Sequence, residues 1–451
     1  MRGLLWSLVL GASGDTNHQL ALLKRWQWLR KDEMETVQRE RLAKLLDHAR
    51  RKIPYYRDLF AERGMDRAKP MALVDALSSL PLLDKDTIRR EGSRMLAADV
   101  AGRGAFQNTS GGSTGEPVVL TQDSAYRDTA RAVAMLFGQW AGYDAGDPMV
   151  KLWGSERDLF VGRETMRTRG TRYLRNETWL NAFRMTPEQF GEYINVINER
   201  RPVFLLGYVE SLHDLAVYAD REGLRVHSPR SVMTAAGPLD AHVREVVARV
   251  FDAPVFNRYG SREVGDIASE CSAHSGLHVC SPQHVVELLD PEGRPVKPGE
   301  RGEVVVTLLT NYSMPLVRYR IGDVASWSGE ECSCGRAWPL LENVAGRVSD
   351  IFVRHDGARV HGEYFTHLFY FLPWVRKFQV VQEAHNDVLV RIVPRERGIE
   401  CTPDALRDMT DVEAKVRLVL GNGCRVRTEF CDNIEPTASG KFRYTISKVP
   451  V

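Results

Sequence analysis

The sequence predicts an α/β protein in two parts. A large N-terminal domain is built on mainly parallel sheets with a β-rich subdomain, and a small α+β domain follows at the C-terminus. Three observations carry this. Short apolar runs alternate with helical patterns between Val118 and Tyr259, as expected for parallel strands covered by helices. From about Gln283 the runs are broken by Pro/Gly turns with no helix between them. Beyond Gly346, about a hundred residues hold a hairpin, a helix and a strand, enough for a small domain.

With 451 residues, 43% of them hydrophobic and 27% charged, the chain can bury two or three cores. A formal charge of +2 gives no electrostatic case for nucleic acid. Seven cysteines in such a length do not make a disulfide framework. The apolar run from Gly3 to Gly11 falls far short of the roughly 20 residues of a spanning helix, and no long signal-peptide core is evident. A cytoplasmic protein without a membrane partner is expected, and a homodimer is left open.

In chain order, Leu42, Leu45, Leu46, Ala49 and Ile53 share one face of a helix from about Glu35, which Pro54 ends. Leu80 to Leu83 reads as a linker. Asn108 to Pro117 then holds three glycines and four hydroxyl residues (Thr109, Ser110, Gly111, Gly112, Ser113, Thr114, Gly115), which neither helix nor strand accommodates. Its backbone N–H groups can cradle phosphate oxygens, although no lysine follows as in G-x-x-x-x-G-K-[ST]. A strand at Val118–Thr121 precedes a helix capped by Ser124, with Tyr126, Ala130, Val133 and Phe137 inward. Thr186-Pro187 opens another helix. Strands at Val203–Leu206, Ser231–Ala235 and Val255–Tyr259 enclose helices around Leu212–Ala219 and Leu239–Phe251. Ligands of such sheets bind outside the carboxyl ends of the strands. Two of these ends carry unusual loops, Thr234 to Pro238 and Tyr259 to Glu263. Short strands are expected at Val285–Leu289, Gly302–Leu308 and Leu316–Arg320. The boundaries read as 1–346 for the large domain (β-rich part about 283–346) and 347–451 for the small one. The latter holds a hairpin from Phe378 to Val393, a helix from Thr402 to Leu420 and a strand from Arg425 to Phe430.

Cys271, Cys280, Cys332 and Cys334 fall in two segments, with His274 and His278 nearby. Thiolates plus imidazole in tetrahedral number suit structural zinc. Cys332 and Cys334 supply two ligands and Cys271 a third, while His278 and Cys280 compete for the fourth. Cys401, Cys424 and Cys431 read as small packing residues.

The ordered set Thr109 to Pro117, Tyr259-Gly260-Ser261-Arg262-Glu263, Tyr319-Arg320-Ile321-Gly322-Asp323, Gly346-Arg347 and Gly440-Lys441 resembles the adenylate-forming (acyl-CoA synthetase) superfamily. Lys151-Leu152-Trp153-Gly154-Ser155-Glu156, the stretch from Cys271 to His278 and Cys332-Ser333-Cys334-Gly335-Arg336 resemble its phenylacetate-CoA ligase and CapK-type branch. The resemblance implies ATP-dependent activation of a carboxylic acid, aryl or otherwise apolar, to an acyl-adenylate, and then transfer to coenzyme A. An amine or carrier-protein acceptor in capsule or natural-product biosynthesis, or a catalytically silent nucleotide-binding relative, are the alternatives. It also implies roles. Ser110, Ser113, Thr114 and the loop glycines would hold the β- and γ-phosphates, and Glu263 magnesium. Tyr259, Gly260, Ala236 and Gly237 would border adenine, and Asp323 the ribose. Arg347 would sit at the hinge of a mobile small domain. Lys441 would stabilise the charge developing in the transition state. Trp153, Tyr208 and Gly237 would wall the acyl pocket, and His278 would be the fourth zinc ligand. The sequence departs from the family pattern at Glu116, Ile321 and Val348, where a basic residue, a threonine and an acidic hinge residue are usual.

Overall fold

A computed structural model describes residues 14–109, 118–154, 166–182, 184–185, 187–237, 239–345, 351–369, 372, 374–396, 398–434 and 444–449. Ser110 to Gly115, Arg347 and Lys441 lie outside these residues.

Parallel and antiparallel strands join edge to edge in one eleven-stranded sheet. Glu177–Asn181, Met149–Trp153, Phe204–Tyr208, Ser231–Ala235 and Val255–Ser261 form the parallel half, in that spatial order. From Val255–Ser261 the sheet continues antiparallel through Gly265–Glu270, Leu277–Val279, Leu340–Ala345, Tyr319–Trp327, Arg301–Leu308 and His284–Leu289. The antiparallel texture therefore starts at Gly265, ahead of the change in composition near Gln283. The strand expected at Leu316–Arg320 instead begins at Tyr319, because Arg318 takes a left-handed turn at φ 51°. That turn is held by paired bonds to Glu287 and by the Ser78 and Leu80 carbonyls.

Helix periodicity was legible wherever one face is buried. The helix Lys31–Lys52 buries Leu42, Leu45, Leu46 and Ala49. Its partner Pro54–Glu62 starts on the proline that ends it, and both pack on the antiparallel half. In the helix Ser124–Trp140 the cap is Asp123 rather than Ser124: its carboxylate accepts from the Tyr126 amide and also from the Tyr312 and Ser313 amides. A charged acceptor satisfies three donors where a hydroxyl satisfies one. Asp240 caps Ala241–Phe251 and Thr402 caps Pro403–Leu420 in the same manner.

The C-terminal part has its own sheet, Arg425–Phe430, Asp387–Pro394, Val375–Ala384 and Thr445–Ser447, packed on the helix Pro403–Leu420. A hairpin of Ile351–Val353 and Arg359–His361 pairs with the two-residue strand Arg184–Met185 of the large part. No helix among the described residues is long and apolar enough to cross a membrane. Of the three cysteines read as packing residues, Cys424 is buried and Cys431 partly so, but Cys401 is exposed on a one-turn helix and packs nothing.

Candidate functional site

The site forms where the parallel half of the sheet turns antiparallel. The strand Val255–Ser261 runs past its parallel neighbours, bulges between Tyr259 and Gly260, and turns back through Arg262 and Glu263. A Cβ on Gly260 would stand 2.6 Å from the Gly265 carbonyl oxygen, so the bulge requires glycine. The bulge sets the Tyr259 side chain beside the neighbouring motif. The Tyr259 hydroxyl donates to Asp323 Oδ2 at 2.9 Å, joining two segments 64 residues apart in sequence. Ile321, where threonine is usual, is buried in the antiparallel core.

Glu263 is buried, 5% exposed. Its Oε1 lies 3.5 Å from Lys85 Nζ and 3.5 Å from the Tyr319 hydroxyl. Lys85 was not found in the sequence because it sits at the start of an ordinary short helix, Lys85–Glu91, which Asp84 caps. Two backbone bonds bring it in: Leu83 N–H to the Arg318 carbonyl and Arg320 N–H to the Leu83 carbonyl, each 2.9 Å. The stretch read as a linker is thus an extra rung on the strand that carries Asp323.

The hairpin Phe106–Thr109 and Val119–Gln122, which flanks the glycine-rich stretch, is fastened to the same turn. Gln122 Nε2 donates to the Arg262 and Glu263 carbonyls, both at 3.2 Å, and Asn108 Nδ2 to the Arg262 carbonyl at 3.3 Å. The strands on either side of the glycine-rich stretch are thereby anchored to the Arg262–Glu263 backbone.

At the carboxyl ends of the parallel strands, Trp153 and Tyr208 meet with ring centroids 4.6 Å apart. Ala236 adopts φ 62°. A Cβ on Gly237 would come within 2.7 Å of Glu210 Oε1, the far end of a flexible side chain that can move aside.

A second cluster lies behind this turn. The ligand atoms of Cys271, His278, Cys332 and Cys334 all fall within 4.8 Å of one another. Cys271 Sγ is 3.6 Å from Cys332 Sγ, and Cys334 Sγ is 3.3 Å from His278 Nε2. A tetrahedral centre with zinc–sulfur bonds of about 2.3 Å has sulfur–sulfur edges of roughly 3.7 Å, so the donor set fits. His278 Nδ1 lies 3.2 Å from the Trp338 carbonyl oxygen, which places the proton there and turns Nε2 inward. Burial pushes the His278 imidazole down to about 4, hence neutral, while it pushes the Cys271 thiol up. Against burial, hydrogen bonds from Arg336 draw the Cys334 thiol below its ordinary value. The tight turn needs Gly335 at φ 80°. Cys280 does not join: just past the strand the chain turns, its carbonyl accepting from Gln283 and His284, and the thiol is carried away. His274 does not join either, being engaged by Glu270 at 3.2 Å.

Comparison with known proteins follows this geometry. The CapK C-terminal domain family matches residues 352–448. Protein CapK of Staphylococcus aureus is 22% identical over 446 residues, covering 96% of this chain and 93% of that protein. A phenylacetate-coenzyme A ligase of Thermus thermophilus is 26% identical over 332 residues, covering 72% and 73%. A crystal structure of 2-hydroxyisobutyryl-CoA ligase, in complex with 2-HIB-AMP and CoA, superposes with a TM-score of 0.63 at 20% identity, over 94% of this chain and 92% of that one. The fold is that of the adenylate-forming ligases. Within that class its similarities lie with the phenylacetate-CoA ligases and CapK.

Proposed function

We propose that the protein activates a carboxylic acid with ATP and passes the acyl group to coenzyme A. The observation that carries this reading is the convergence of Tyr259, Asp323, Glu263 and Lys85 on one turn, with the glycine-rich stretch anchored beside it. A carboxylate oxygen of the acid attacks the α-phosphorus of ATP. The bond to the β-phosphate bridging oxygen breaks, and pyrophosphate leaves. The thiolate of coenzyme A then attacks the acyl carbon, and AMP leaves with the bonding pair. Ser110 to Gly115 hold the departing phosphates through backbone N–H groups and hydroxyls. Glu263 offers a hard oxygen ligand for magnesium, which neutralises phosphate charge when bound. Lys85 exchanges its contact with Glu263 for a phosphate oxygen. Tyr259 flanks the adenine while its hydroxyl orients Asp323, whose carboxylate accepts from the ribose hydroxyls. Lys441 stabilises the charge developing on the bridging oxygen. Cys271, His278, Cys332 and Cys334 would hold zinc, which would serve there as a structural clip and take no part in the chemistry.

Pyrophosphate exchange over a panel of acids tests the first half-reaction. Exchange with at least one acid is expected, with Lys441→Ala lowering it by about a thousandfold while sparing thioester formation from supplied acyl-adenylate. A folded, ATP-binding preparation that exchanges with no acid would overturn the reading. An amine or a carrier protein is the alternative acceptor. AMP release that depends on an amine or carrier protein and not on coenzyme A would select it.

A further inference from the structure

A partly buried lysine on the parallel half of the sheet has no carboxylate partner among the described residues. The Lys151 ammonium lies 4.3 Å from the centre of the Trp153 ring and 4.5 Å from that of Trp179. Two carboxylates are close enough to attract it, and both are committed elsewhere. Asp266 pairs with Arg258 at 3.1 Å. Glu177 faces Arg175 at 3.7 Å and accepts from the Trp179 indole N–H at 2.9 Å. Arg172 covers the Trp179 ring at 4.1 Å, and Arg258 approaches Trp153 at 6.0 Å. Among the described residues none forms an ion pair or hydrogen bond with Lys151. Burial, reinforced by Arg258 and Arg175 and opposed by Glu177 and Asp266, pushes the ammonium down to about 8. Two ring faces attract a cation, but they do not replace all the hydration that a partly buried ammonium loses.

The position matters as much as the charge. Lys151 and Trp153 point to one face of the strand Met149–Trp153, whose carboxyl end is where ligands of such sheets lie. Trp153 touches Tyr208, and Tyr208 pairs with Ala235, the residue before Ala236 and Gly237. A continuous path of contacts therefore links the ammonium to the edge assigned to the acyl group. An apolar acid would leave that cation unanswered.

We propose that Lys151 selects the acid by a second anionic group, so that the substrate is an aryl or similarly flat acid carrying another carboxylate. This rests on the acid-activation reading and refines it: Trp153 and Trp179 take the flat part of the molecule, and Lys151 takes the distal charge. The second carboxylate supplies the ion pair that no acid among the described residues provides.

The test compares phenylacetate with its ortho-, meta- and para-carboxy derivatives in pyrophosphate exchange. In the unaltered protein at least one dianionic acid is expected to exceed phenylacetate in kcat/KM by about tenfold or more, chiefly through KM. Lys151→Met removes that ratio, and Lys151→Arg, which keeps a cation between the rings, retains part of it. Phenylacetate used as well as all three derivatives overturns the inference and leaves the acid-activation reading standing. A preference that survives Lys151→Met overturns it too, by taking the charge recognition elsewhere. Exchange with none of a wider panel of acids overturns both. Because the unaltered protein decides the first comparison, misfolding of a variant does not spare the proposal.

Discussion

Glu263 and Lys85 show how a single residue's meaning depends on its neighbour. Each side chain is less than one-tenth exposed, and the pair is 3.5 Å apart. A buried carboxylate stripped of its cation is costly, about 3 kcal/mol or more, whereas replacing both charges is far cheaper. Lys85→Met is therefore expected to destabilise the protein by that order. The double variant with Glu263→Gln should recover most of the loss in denaturant unfolding. Neither should recover pyrophosphate exchange, since both groups are read as acting on the nucleotide's phosphates. Additive losses of stability would show that the two charges do not support one another. Tyr259 and Asp323 were both legible from their motifs. The bond between them was not, because 64 residues separate them and only the sheet makes them neighbours.

At the scale of elements, the contact between the C-terminal hairpin and the large part is the telling one. Arg359 pairs across the strand register with Met185, and its guanidinium meets the buried Asp214 carboxylate. Burial pushes the Asp214 carboxyl up to about 6, although Arg359 pulls it back. A raised carboxyl pKa contributes stability while the group is protonated. That contribution is present below the ordinary carboxylate range and is lost as pH rises through about 6. The seam is expected to loosen over that interval, read as faster amide exchange in Arg359–His361 after correction for intrinsic rates. Asp214→Asn should flatten the dependence, and an unchanged profile in that variant would exclude Asp214 as its source.

For the molecule as a whole, the Cys271, His278, Cys332 and Cys334 cluster ties the strand after Glu263 to the turn that follows Asp323's strand. That turn also docks on the N-terminal helices: Arg336 stacks over Trp28 and Trp140 and donates to Gln27. Zinc held there would close a loop of 61 residues, restricting the unfolded chain and adding its binding energy to folding. Protein purified without a histidine tag is expected to hold near-stoichiometric zinc. Cys332→Ser should lower Tm by about 5 °C or more while leaving the relative use of different acids unchanged. A metal-free protein of full stability and activity would end this reading.

Taken by itself, the sequence determined what depends on short-range pattern. Helix faces follow from apolar spacing, as in Lys31–Lys52 and Pro403–Leu420, and strand ends from glycine and proline. The ordered motifs were enough to name the class and the reaction it implies, because each keeps its chemistry within about five to ten residues. Tertiary structure decided whatever depends on distance across the chain. It joined the parallel and antiparallel halves into one sheet, chose Asp123 over Ser124 as a cap by giving it two further amides, and brought Lys85 to Glu263. It also turned Cys280 away from the four clustered ligand groups and left Lys151 between two tryptophans with no carboxylate partner among the described residues. The physical reason is common to these cases. Hydrogen bonds, ion pairs and metal ligation act over a few ångströms, and sequence spacing measures that distance only within a turn of helix or a hairpin.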